Sequence, residues 1–454
     1  MKQTLNKYYP IAAGTFAFLL MALYNGYPIV NGDTAAYINS GFTMEVPETR
    51  PIFYGLFLRC TSLGASLWGT IAVQALIVSY LCTRFIKAVA GDMENTHIVA
   101  LLLCVATATI GGWYTGQLMP DVFTPVLFLA VWLYMLHPGN KMQQIILLML
   151  ILISILVHVS HYVIATLLSL LLLVASFIPR YSWMATRRKA ITLLGTTVIA
   201  WMALLTSNYM GGRGFRTSAS SHVFLMGKLA ESGVLRTYLE KACPTRDYKI
   251  CAYKDNLPHV AWGFVWDQAS PVSKTGGWEA NREEYSTIIR DIASRPKYWP
   301  FLAYKSIEAT SRQIVLSNID ESEELSWLVY DKDNPVYKAV DRYFPHEISE
   351  FAVVRQNQKT LNIPFYDDVY ILFLLVTFVA VMLLTGKDTK TEVGRVYLYL
   401  LLFLLLNAFV TATFANVSTR LNSRCIWLLP LVNIALLYRI VKQRWGKHTN
   451  TAIT

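Results

Sequence analysis

The chain has 454 residues, 54% of them hydrophobic and 15% charged, and a mean hydropathy of +0.38. That balance excludes an ordinary soluble domain and fits a chain that crosses a membrane many times. The formal charge of +11 does not mark a nucleic-acid binder, because Lys and Arg sit at the ends of apolar segments and no basic run interleaved with aromatics occurs.

The N-terminal stretch MKQTLNKYYPIAAGTFAFLLMALYNGYPIV has the charges and apolar core of a signal peptide but no clear small-x-small cleavage site. It is read as a retained first helix. Apolar runs then predict helices at roughly 9–27, 66–83, 97–114, 120–136, 143–158, 161–178, 190–207, 367–385, 396–413 and 424–441. The run 143–178 is too long for one span, and HVSHY at 158–162 is polar enough to turn the chain inside it. The expected fold is an all-α polytopic membrane protein of about ten transmembrane helices. A mainly helical extracytoplasmic domain is inserted between helices 7 and 8. The expected organisation is a seven-helix module over 1–207, the inserted domain over 208–366, and three helices with a cytoplasmic tail over 367–454.

The basic residues set the orientation. With the N-terminus inside, sixteen Lys and Arg fall on inner segments and only Arg50, Arg59, Arg420 and Arg424 on short outer ones. Both termini are therefore expected in the cytoplasm, the long polar region outside, and the protein in a bacterial inner (plasma) membrane. Cys243 and Cys251 lie eight apart in ACPTRDYKIC, within that outer region, and predict a small-loop disulfide. Cys60, Cys82, Cys104 and Cys425 lie in or beside apolar segments and read as fillers.

This layout gathers Asp33, Asp121, His158, His161, Arg420 and Arg424 at the outer face. Each has an ordinary explanation. Asp33, in GDTAAYI, reads as a helix N-cap, and Asp121 after Pro120 suits the first turn of a helix. A histidine beside a turn is usually a satisfied polar group, and interfacial arginines snorkel to headgroups. The chemical reading is sharper. Asp33 is a candidate general base, and Asp121 a second acid orienting the acceptor or a metal. Arg420 and Arg424, spaced i, i+4, form a candidate phosphate clamp. His158 and His161 are candidate contacts to phosphate or acceptor, since polar groups this near hydrocarbon tend to face a cavity or partner. The Gly-rich GGRGFRTSASS at 211–221 matches no phosphate-loop pattern and reads at least as well as a flexible exit linker.

NGDTAAYI, ETRPIFYGLFLR, LMPDVF and RLNSRCIWLLPL together resemble the GT-C superfamily of integral membrane glycosyltransferases. They stand where that family has an Asp after its first helix, an Arg/His-Pro-Pro-x-Tyr type segment, an acidic second outer loop and an Arg-x-Pro type end. The seven-helix module, the large outer loop and the further helices fit the same architecture. The resemblance implies an enzyme of the cell envelope whose donor is a polyprenyl-phosphate-linked sugar, with transfer on the outer face to a lipid, glycan or protein. It implies Asp33 and Asp121 as catalytic, Arg50, Arg420 and Arg424 on the donor phosphate, and Tyr37, Tyr54, His158 and His161 as substrate contacts. Asp33 lacks a second acid in a Glu/Asp-x-x-Asp arrangement, so use of a divalent metal stays open. The alternatives are a transporter or flippase of lipid-linked glycans, a surface-polysaccharide ligase or polymerase with a diphosphate-linked donor, and a membrane-anchored binding protein.

Overall fold

The computed structural model describes residues 2–319, 330–387 and 389–451, and no strand occurs among them. Every apolar segment is helical. The helices of the first module are α1 (Lys2–Asn25), α2 (Thr34–Thr43), α3 (Phe53–Ser62), α4 (Leu67–Ala90), α5 (Asn95–Ala108), α6 (Gly111–Thr115), α7 (Phe123–Leu136), α8 (Lys141–Leu156), α9 (Val159–Ala175) and α10 (Arg187–Met210). Three long helices follow the inserted region, Ile363–Leu384, Lys390–Phe414 and Leu428–Thr451.

Five helices among the described residues are long and apolar enough to cross a membrane: Leu67–Ala90, Arg187–Met210, Ile363–Leu384, Lys390–Phe414 and Thr419–Arg444. Asn95–Ala108, Pro120–Leu136, Lys141–Leu156 and Val159–Ala175 are equally apolar but shorter. At 1.5 Å per residue they fall short of the roughly 20 residues that span a bilayer core. Of the roughly ten expected spans, five are long and apolar enough to cross a membrane among the described residues. The turn at HVSHY is present, because α8 ends at Leu156 and His158 caps α9 through its Nδ1, which accepts from the Ser160 N–H at 3.2 Å.

Small residues set the close contacts. Gly14 brings α1 so near α4 that a Cβ there would lie 2.3 Å from Ser79 Oγ, and that hydroxyl donates to the Ile11 carbonyl at 2.7 Å. At the crossing of α2 and α3, a Cβ on Gly41 would meet the Gly55 carbonyl oxygen at 2.4 Å. A Cβ on Gly55 would meet Ser40 Oγ at the same distance. Only paired glycines let the two backbones touch, and this contact fixes Asp33, just before α2, relative to Arg50, just before α3.

The first and second connecting loops meet in a two-residue parallel bridge. Ile29 N–H donates to the Gly116 carbonyl at 2.9 Å and Leu118 N–H to the Ile29 carbonyl at 2.8 Å. Gln74, a lone amide in α4, donates to the carbonyls of Thr115 and Gln117 at 2.9 Å each and accepts from Tyr54 Oη at 2.7 Å. The bridge and the amide hold the Asp33 loop beside Pro120–Val122.

The region 208–366 does not share one core. Residues 223–298 pack around Val223, Met226, Leu235, Phe264, Ile288 and Tyr298, with the Cys243–Cys251 disulfide against that core. Trp299–Ile314 packs along Lys390–Phe414 instead. Val336, Val340, Phe344 and Phe351 join the core of the helical bundle, with Tyr343 stacked on Phe42 of α2 at 4.5 Å. Tyr27 donates to the buried Glu347 carboxylate, and Gln356 Nε2 donates to the Val30 carbonyl at 2.8 Å. Residues 320–329 of this region lie outside the described residues. The loop 211–221 is tied down: Arg213 Nε donates to the Val46 carbonyl at 3.2 Å and Asn208 Nδ2 to the Arg216 carbonyl at 2.7 Å.

The two ends of the bundle differ chemically. At one end cations from neighbouring elements cap the last carbonyls of helices: Arg84 on His137, Lys189 on Met135, Arg439 on Val89 and Arg444 on Leu384, at 2.7–2.9 Å. These belong to the segments that the charge distribution assigns to the cytoplasm. Asp33, Asp121 and Arg420 lie at the other end. Reporter fusions after residues 91, 183, 390 and 448 are expected to read cytoplasmic, and fusions within 220–350 external. A cytoplasmic signal from 220–350 would reverse the orientation.

Candidate functional site

Asp33 stands at the N-cap position of α2, yet its side chain makes no cap bond. First-turn N–H groups are met by backbone carbonyls instead, Thr34 N–H donating to Asn31 at 2.9 Å and Ala36 N–H to Asp33 at 3.1 Å. Asn31 Oδ1 accepts from the Asp33 N–H at 3.2 Å, and Thr34 Oγ1 accepts from the Asn31 N–H at 2.9 Å. The Asp33 carboxylate turns instead to two guanidinium groups, Arg50 at 2.8 Å and Arg420 at 3.4 Å, one on each oxygen.

Arg420 lies one turn before Arg424 on the helix Thr419–Ile426, so both point the same way. Its Nε is 3.4 Å from one oxygen of Asp121, while Arg424 Nη1 donates to the other at 3.2 Å. Arg424 Nη2 also donates to Asn407 Oδ1 at 3.0 Å and to Ser160 Oγ at 3.2 Å. The result is a continuous row, Arg50–Asp33–Arg420–Asp121–Arg424, built from four separate stretches of chain.

Burial divides the row. Asp121 and Arg424 have no exposed surface, whereas the side chains of Arg50, Arg420 and Asp33 are 14%, 23% and 32% exposed. Arg424, expected on the donor phosphate, is fully buried, and it and Asp121 form a buried pair beside Arg420. The exposed end, Arg50, Asp33 and Arg420, is the part that can touch a ligand.

The other expected contacts sort the same way. His161 is fully buried, its Nδ1–H donating to the Ser154 carbonyl at 2.7 Å and its Nε2 paired with Thr124 Oγ1 at 2.6 Å. Because a carbonyl only accepts, the proton sits on Nδ1 and both nitrogens are occupied. Tyr54 is likewise buried, its hydroxyl given to Gln74. Neither offers surface to a substrate. Tyr37 is buried beneath Arg50, whose guanidinium carbon lies 5.1 Å from the ring centre, and braces that arginine. His158 is half-buried beside Ser160, at the margin of the row. Asn31, Gln74, Ser160 and Asn407 were not singled out by sequence. Gln74 and Asn407 carried a usable signal, each being a lone amide in an apolar run.

Burial raises the Asp33 pKa, but Arg50 and then Arg420 outweigh it and hold the carboxyl below its ordinary value. The pairing therefore stabilises the fold fully above the usual Asp pKa of about 3.9, and the benefit is lost as pH falls through the lower folded value. The stability difference between wild type and Asp33→Asn is expected to stay constant from pH 7 to about pH 4 and to vanish in stronger acid. Thermal unfolding across that range checks this, and a difference already shrinking between pH 7 and pH 5 would contradict the double pairing.

Among the described residues no three His, Cys, Asp or Glu side chains come together. Both site carboxylates are matched to guanidinium groups, so the donor set does not suit a divalent cation. Compared with protein-family models, with characterised proteins and with solved structures, the chain matches none.

Proposed function

We propose that the chain is a membrane glycosyltransferase of the GT-C type, moving a sugar from a polyprenyl-phosphate-linked donor to an acceptor hydroxyl at the outer face. The observation that supports it most is the partly exposed pair Arg50 and Arg420, held apart by one carboxylate between them. Two guanidinium forks at that spacing suit a phosphate, and their oxygens are the natural competitor for Asp33.

That competition gives the site a working order. Before the donor arrives, Asp33 is a weak base because two cations stabilise its charged form. A phosphate that takes over Arg50 and Arg420 removes that stabilisation and raises the proton affinity of Asp33 where it is needed. The acceptor hydroxyl then attacks the anomeric carbon, its proton passes to Asp33, and the bond from that carbon to the phosphate oxygen breaks. The carrier leaves as its phosphate, whose negative charge Arg50 and Arg420 hold. Asp121 and Arg424 keep Arg420 in place throughout.

The phosphate dependence of binding is the direct test. Purified protein in nanodiscs is expected to bind undecaprenyl phosphate at least about tenfold more tightly than undecaprenol, and Arg50→Gln or Arg420→Gln to remove most of that difference. Equal affinity for the two carriers, or unchanged preference in both variants, would dismiss the reading.

A further inference from the structure

The end of the bundle opposite Asp33 holds a cavity of about 710 Å³. It lies where α4 and α7 end, Lys390–Phe414 begins and the basic end of Leu428–Thr451 passes. Two long apolar helices, Leu67–Ala90 and Lys390–Phe414, have their ends here, and the charge rule predicts headgroups at this level.

Its walls are sorted by chemistry. Val89, Leu136 and Val396 give an apolar side. Arg439 is committed, to Glu392 at 2.5 Å and to the Val89 carbonyl at 2.9 Å. Arg395 is different: it is exposed, with its guanidinium carbon 5.1 Å from the Trp183 ring centre. Lys442 is exposed as well, reaching the Asp92 carbonyl. Trp132 lines the cavity and is 2% exposed.

The geometry points to a binding site for the phosphate ester of an anionic phospholipid headgroup. Arg395 and Lys442 take the phosphate oxygens, and the apolar side receives the glycerol and first acyl carbons. The volume lies within the range of small-molecule pockets. This end also carries the chain's surplus of Lys and Arg, which by the charge rule faces the leaflet made negative by anionic lipids. The occupant would join the ends of α4 and α7 to the two helices that close the chain, far from the Asp33 row.

Native mass spectrometry of the full chain in mild detergent tests it, with phosphatidylglycerol, diacylglycerol of the same acyl chains, and glycerol 3-phosphate as probes. Phosphatidylglycerol is expected to bind at least about tenfold more tightly than diacylglycerol, and the double variant Arg395→Gln/Lys442→Gln to lose that preference. Arg180→Gln, on the same face but outside the cavity, should keep it. Because Arg395 and Lys442 are exposed, the double variant is expected to fold. Equal binding of the two lipids, or a preference that survives the double variant, would overturn the proposal. Glycerol 3-phosphate competing as well as the lipid would overturn its assignment to a lipid.

Discussion

Asp33→Asn is expected to lower sugar transfer by on the order of 100- to 10,000-fold, the usual cost of losing a general base. The substitution keeps size and hydrogen-bonding capacity. Asn is also a good helix cap, but the Asp33 side chain makes no cap bond, so capping does not enter the outcome. A second readout separates chemistry from structure. Asp33 competes with a phosphate for Arg50 and Arg420, so removing its charge should leave undecaprenyl phosphate bound as tightly as in wild type or more tightly. A merely structural role predicts that binding and transfer fall together. Transfer at the wild-type rate by a variant that binds the carrier would leave the site without a base.

The second large effect is on stability. Asp121→Ala leaves Arg424 fully buried with its charge unmatched. Breaking a buried pair by removing one partner costs about 3–5 kcal/mol. Replacing both charges by apolar groups is often neutral, because neither then has to be taken out of water. Asp121→Leu with Arg424→Met is therefore expected to recover much of the loss. Asn407, which also donates to the Leu421 carbonyl at 2.8 Å, keeps one of its partners in that variant. Denaturant unfolding in detergent measures both. An Asp121→Ala protein as stable as wild type would mean that the buried pair carries no weight. The double variant should nevertheless lose Arg420 placement, and with it phosphate preference, since Asp121 is the group behind Arg420 Nε.

Hydrophobic periodicity made the apolar helices legible, because a run that must meet lipid on one side and other helices on the other leaves a long unbroken signal. The turn at His158 was legible for the same reason in reverse. What depended on long-range contact was not. Nothing local says that the Asp33 carboxylate leaves the cap unmade and pairs with Arg420, nearly four hundred residues away. Gly41 and Gly55 look like ordinary small residues until the α2–α3 crossing shows that each faces the other's backbone. The sequence placed Asp121 and Arg424 at the same end of the molecule but could not say that they would bury each other. The division of 208–366 was hidden as well. The amphipathic helix Pro335–Tyr343 reads like part of an independent domain, and only its packing on Phe42 shows that it belongs to the bundle.

We propose that the row at Asp33 parts a sugar from its lipid phosphate. The most direct measurement follows a polyprenyl-phosphate sugar labelled separately in sugar and carrier, in proteoliposomes containing the protein and a crude envelope extract as the acceptor source. The two labels are expected to separate, with the sugar leaving the carrier, and separation is expected to stop in Asp33→Asn and to fall in Arg420→Gln. Labels that stay together while the lipid changes leaflet would identify a flippase, and labels that stay together in place would leave the row without chemistry. Either result would refute glycosyl transfer at the row.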